Sequence, residues 1–145
     1  RLERFDFKLK QQFIAPKKIF CIDTGLMNSV AFQISDNKGR LMENVVAIEL
    51  QRRKRTGSNV YYWKDHMQNE VDFLIKEDKK IKMLIQTTYA SEKNDINERE
   101  LYALKKASQE LKCKNRLVIT WEYEAEEEDI NFIPLWKWLL GNSRE

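Results

Sequence analysis

Two carboxylates, Glu70 and Asp72, stand two residues apart in Asn69-Glu-Val-Asp-Phe-Leu-Ile-Lys76, a stretch with the apolar/polar alternation of a β-strand. Side chains two apart on a strand share a face, so the spacing puts both acids on one side with Leu74, and Val71, Phe73 and Ile75 on the other. The stretch Lys80-Ile-Lys-Met-Leu-Ile-Gln-Thr-Thr-Tyr89 has the same period, with Gln86 and Thr88 on the polar side, and Glu77-Asp78-Lys79 forms a polar turn between the two. Pairing Leu74 with Leu84 matches Phe73 to Ile85 and Ile75 to Met83, and sets Asp72 beside Gln86; a slip of one residue would oppose apolar to polar side chains. A third acid, Glu43, borders the apolar stripe of a helix, where desolvation and neighbouring carboxylates perturb a pKa or invite a cation. Carboxylate oxygens suit a hard ion, Mg2+ or Mn2+, with Glu43, Asp72 and Glu70 as the candidate ligands.

The elements that must position these residues follow from the pattern. Leu2, Phe5, Phe7 and Leu9 are spaced like one face of a strand, which Ala15-Pro16 interrupts, and Lys18–Ile22 reads as a second short strand. Asp23-Thr24 suits a cap for a turn or short helix, with metal ligation by Asp23 as the lesser alternative. Ser35–Gly39 is a loop. From Arg40, the residues Leu41, Val45, Val46, Ala47, Ile48 and Leu50 make a helical stripe that ends in Arg52-Arg-Lys-Arg55, cations that complement a helix C-terminus. Val60–Trp63 is a strand, 97–112 a helix with Leu101, Leu104, Ala107 and Leu111 inward, and Leu117–Trp121 a buried strand. Glu122–Asp129 reads as a solvated acidic linker. Ile130–Ile133 is a last strand, and Pro134 opens a short helix that Gly141 ends. Trp136 and Trp138, two apart, cannot both face inward on that helix. A strand, helix, strand passage over 81–121 calls for a crossover connection and an α/β fold, a mixed β-sheet flanked by helices.

Composition narrows the function. The 145 residues are enough for one domain with a real core; 34% are charged, yet the formal net charge is only +3, so the surface is densely and almost evenly charged. Cys21 and Cys113 fall in no metal-binding pattern and His66 is the single histidine, which excludes a zinc site of Cys and His ligands. Isolated thiols suit a reducing compartment, and no apolar run approaches a membrane span, so the expected location is the cytoplasm.

Adjacent strands with an Asp on the first and a polar-x-polar pair on the second resemble the heart of the PD-(D/E)XK, or restriction endonuclease-like, nuclease fold. In that motif the second strand gives an acid and, two residues on, a Lys. Asp72 fits the first place; Gln86 and Thr88 stand in the other two. Across the chain, Lys18–Leu26, Gly39–Val46, Glu49-Leu50, Tyr61–Trp63, Glu70–Phe73, Leu84–Gln86, Glu98–Leu101, Val118–Trp121 and Ile133–Leu140 together resemble the C-terminal domain of unknown function of archaeal and bacterial AAA-type P-loop ATPases. Members of that group look like Holliday-junction-resolvase-type nucleases in fold. The resemblance implies catalytic positions at Glu43, Asp72, Gln86 and Thr88 and an ATPase module upstream in the same chain, and it leaves DNA as a partner and an oligomer both open. It divides the chain into an N-terminal segment and connector, 1–38, and a nuclease-like domain, 39–145. No Gly-x-x-x-x-Gly-Lys-Ser/Thr loop occurs in these residues. The expected function is a degenerate nuclease domain serving DNA contact or regulation; the alternatives are an active Mg/Mn-dependent DNA nuclease and a protein-interaction module.

Overall fold

The computed structural model describes residues 1–23, 25 and 38–141. In chain order the elements are β1 (Glu3–Arg4), α1 (Leu9–Ile14), α2 (Lys38–Arg52), β2 (Ser58–Lys64), β3 (Glu70–Glu77), β4 (Lys80–Thr87), α3 (Glu98–Glu110), β5 (Arg116–Thr120), β6 (Ala125–Glu127), β7 (Ile130–Pro134) and α4 (Leu135–Leu140). Among the described residues seven strands form one mixed sheet in the order β1-β2-β3-β4-β5-β7-β6. β1 pairs parallel with β2, β2–β3 and β3–β4 pair antiparallel, and β4, β5 and β7 pair in parallel, with helix α3 crossing over from β4 to β5. That helix starts where Asn97 accepts the Arg99 N–H (2.9 Å) and two acids lie in the first turn, a favourable N-terminus.

The sheet separates two cores. On one face Ala103, Leu104 and Ala107 of α3 pack on Val71, Leu74, Leu84 and Val118. On the other, Met42, Val46, Ala47 and Leu50 of α2 and Leu135 of α4 pack on Phe73, Ile85, Leu117 and Ile119. The N-terminal segment belongs to this body: Leu2 and Phe5 are buried, one in each core. Of the two tryptophans on α4, Trp136 is exposed and Trp138 packs against the second core.

The hairpin takes the expected register, with Phe73 opposite Ile85, Leu74 opposite Leu84 and Ile75 opposite Met83. Its alternation is broken, however, against β2. Tyr61 pairs with Leu74 and Trp63 with Val71, so Asp72 and Phe73 together face the single residue Tyr62. This β-bulge puts Val71 and Leu74 in the same core, three residues apart, and turns Asp72 to the α2 side that Phe73 occupies. The expected shared face of Asp72 and Leu74 is therefore corrected.

Four further expectations are corrected. The strand face Leu2–Leu9 shrinks to two residues of β1, because Leu9-Lys-Gln-Gln12 are good helix formers and Asp6 accepts the Lys8 N–H (2.9 Å) at the entry. Pro16 then forces Ala15 into an extended conformation and stops the helix. The strand over Lys18–Ile22 is reduced to one bridge between Lys18 and Leu2. Glu122–Asp129 is not a free linker: β6 pairs antiparallel with β7, and Glu128 (φ 50°) and Asp129 (φ 59°) form the tight turn with two left-handed residues that suits the sheet twist. Acids on this edge strand discourage pairing with another sheet. The loop expected over 35–39 gives way at its end to α2, which begins at Lys38, while residues 35–37 and the cap at Asp23-Thr24 lie at or outside the limits of the described residues. Among the described residues no helix is long and apolar enough to cross a membrane.

Candidate functional site

Three acids expected from the sequence, Glu43, Glu70 and Asp72, do converge, but around a residue the sequence did not single out. The Lys18 ammonium lies 2.8 Å from Glu43 Oε1, 2.6 Å from Glu70 Oε1 and 3.3 Å from Asp72 Oδ1. Its segment is pinned on both sides. Leu2 and Lys18 exchange two backbone hydrogen bonds (2.8 and 2.9 Å), and the Tyr62 hydroxyl donates to the Pro16 carbonyl (2.5 Å). The side chain of Asn44, buried on α2, accepts from the Cys21 N–H (2.8 Å) and donates to the Cys21 carbonyl (2.7 Å), imitating a strand neighbour. Lys18 also lies 5.4 Å from the centre of the Tyr62 ring, within cation–π range.

Each carboxylate responds to this setting. For Glu43, burial and the charge of Asp72 raise the pKa, and Lys18 opposes them only in part. For Glu70, burial raises it, but the hydrogen bonds and charges of Lys18 and of Lys64 (3.1 Å from Oε2) carry the net shift downward. For Lys18, burial would release the proton, yet Asp72 and Glu43 outweigh it and hold the ammonium charged well above its ordinary range. Asp72 is fixed from its other side: Oδ2 accepts from both the N–H (2.9 Å) and the hydroxyl (2.8 Å) of Thr87.

Gln86 and Thr88 are placed differently from Thr87. Gln86 Oε1 accepts from the Asp72 backbone N–H (3.3 Å), and Thr88 stands against Glu100 in the first turn of α3. The Asp72 carboxylate thus meets the residue between the two expected positions, because the bulge reverses its side. Glu100 is the second residue missed by sequence reasoning. Burial drives its pKa up to about 7 against the help of the Thr88 hydroxyl, with Asp72 and Glu43 adding to the rise, and among the described residues its buried Oε2 has no hydrogen-bond partner. Folding therefore raises this pKa from 4.5, so the chain loses stability as pH climbs from about 4.5 to about 7. Glu100→Gln, which copies the protonated form, is expected to match the parent at pH 4 and to be more stable at pH 8 by about 1 kcal/mol, allowing for solvent screening. Urea midpoints at the two pH values test this, and equal midpoints at pH 8 would refute it.

The donors are hard oxygens, chemically apt for Mg2+ or Mn2+. Their arrangement is another matter. The three carboxylates are turned toward an ammonium, and among the described residues no three His, Cys, Asp or Glu side chains are disposed to hold a metal ion. The residues as arranged do not fit a divalent cation. What the cluster can do is hold a fixed positive charge among acids and tie residues 16–21 to α2 and β3.

Comparison with known proteins adds two matches. The model of a family described as Domain of unknown function (DUF4143) matches residues 38–138. An uncharacterized protein of Methanocaldococcus jannaschii, MJ1544, is 36% identical over 146 residues, covering 93% of this chain and 32% of its own length. The chain thus spans about a third of that relative. No solved structure matches.

Proposed function

The chain belongs to the family Domain of unknown function (DUF4143), and from that premise we propose that it is the nuclease-fold C-terminal module of a larger AAA-type ATPase, catalytically degenerate and serving DNA contact or regulation. The observation that carries the reading is the Lys18 ammonium among Glu43, Glu70 and Asp72. Metal-assisted hydrolysis of a phosphodiester needs carboxylates free to hold an ion that polarises the phosphate and acidifies a bound water. Here the acids are already engaged by an ammonium built into the chain. Gln86 offers a neutral amide in place of an acid, and Thr88 brings no positive charge to a transition state. The size of the M. jannaschii relative, about three times the matched length, supports a module within a longer protein.

Branched and linear DNA incubated with the protein over a Mn2+ titration, beside Asp72→Ala, tests the proposal. No Mn2+-dependent cleavage by the parent is expected. Cleavage that disappears in Asp72→Ala would establish an active nuclease instead. DNA binding that weakens steeply with salt is the expected mark of phosphate contact, and its absence would favour a protein-interaction role.

A further inference from the structure

A second feature lies on the opposite core face from the acid cluster. Asp6, Phe7 and Leu9 of the N-terminal segment form one wall of a groove of about 580 Å3; Lys76, Lys79 and Lys80 of the β3–β4 hairpin, with Lys112 after α3, form the other. Lys76 is four residues along β3 from Asp72, roughly 13 Å away at strand rise.

The groove has two properties that act together. The first is uncompensated charge. Among the described residues none of these four lysines lies within ion-pair distance of a carboxylate, whereas neighbouring Lys82 pairs with Glu77 and Lys106 with Asp65. Asp6, the one acid lining the groove among the described residues, is engaged by Arg4 (3.6 Å). Four free cations in one groove exceed the formal surplus of +3 of the entire chain. The second property is an aromatic row. The Phe7 ring is 75% exposed and stands edge-on to the buried Phe5 (5.3 Å, 77°), which stands edge-on to Tyr61 (5.8 Å, 67°). Two buried or half-buried rings thus orient a third whose face is open to solvent.

We propose that this groove binds single-stranded nucleic acid, its lysines taking phosphates and the open Phe7 face taking a base. Phosphate attraction alone would serve any polyanion. A positioned, exposed aromatic ring adds an affinity for base π-faces, which are available in a single strand, hidden in a duplex and lacking in an acidic peptide. The inference deepens the DNA-contact reading above and rests on it for the choice of polyanion.

Fluorescence anisotropy with a short labelled oligo(dT) tests it on the whole chain. Binding is expected at low salt and weakens as salt rises. Reversing Lys79 and Lys80 together, K79E/K80E, lowers the log–log salt slope by about 0.7 for each lost phosphate contact. Phe7→Ala weakens binding about tenfold, the size expected for one stacked base, and Phe7→Trp restores it; both changes are at an exposed position and leave the fold intact. Poly-glutamate that competes as well as unlabelled oligo(dT), together with an unaffected Phe7→Ala, would overturn the proposal in favour of an acidic protein partner. Absence of oligo(dT) binding at low salt would overturn it outright. Duplex or junction DNA that binds equally well to parent and groove variants would refute this groove while leaving the broader DNA-contact reading intact.

Discussion

Lys18→Met is expected to destabilise the fold by about 2–4 kcal/mol at neutral pH. Removing one partner of a buried ion pair typically costs 3–5 kcal/mol because a charge is left uncompensated, and the estimate is lowered because the Lys18 side chain retains 21% exposure. Glu43 and Asp72 lose this cation and Glu70 loses one of its two, and methionine keeps most of the volume, so the loss reports charge more than packing. The sign with pH follows. The raised pKa of Lys18 means that its contribution is complete below the ordinary lysine range and fades only in strong alkali. In the variant the unpaired acids instead take up protons more readily, so the deficit shrinks as pH falls toward 4.5. Urea denaturation at pH 7.5 and pH 5 reads both effects. A loss below about 0.5 kcal/mol at pH 7.5 would mean that the cluster behaves as an ordinary surface ion pair.

Asn44→Ala is expected to cost about 2–3 kcal/mol. The amide is buried and makes two short hydrogen bonds to the backbone of Cys21, so alanine removes both and strands a backbone donor and acceptor. Asn44→Asp separates the two bonds: a carboxylate still accepts from the Cys21 N–H but faces the Cys21 carbonyl with lone pairs, and the variant should be no more stable than alanine. Because Asn44 anchors the same segment that delivers Lys18, the double variant with Lys18→Met is expected to lose less than the sum of the singles, by 0.5 kcal/mol or more. Strict additivity in a double-mutant cycle would show that the anchor and the ammonium act independently.

Much of the scaffold was legible because one rule governed it. The hairpin register could be read from Phe73, Leu74 and Ile75 because any slip exposes them, and α2, α3 and α4 follow apolar stripes closed by Pro, Gly or charged caps. Asp72 was found, but its partner was not. The bulge opposite Tyr62 depends on how β2 lies against β3, information spread over two strands, and it exchanges Gln86 for Thr87 at the carboxylate. Lys18 escaped for a similar reason. Its partners are 25, 52 and 54 residues away, and a lysine beside Ile19 and Phe20 looks like any strand-border charge. Glu100 was visible only as a helix-start acid, since its burial over Thr88 is set by the crossover that lays α3 on the sheet. The N-terminal helix was misread because Leu2, Phe5, Phe7 and Leu9 alternate almost like a strand, whereas Lys10-Gln11-Gln12 favour helix.

Lys18 has one more consequence. The recognised family boundary opens at residue 38, twenty residues beyond the lysine that Glu43, Glu70 and Asp72 surround. An excised fragment drawn to that boundary would carry three carboxylates without the ammonium they face, and any affinity for calcium, manganese or magnesium measured on it would describe the truncation and not the protein.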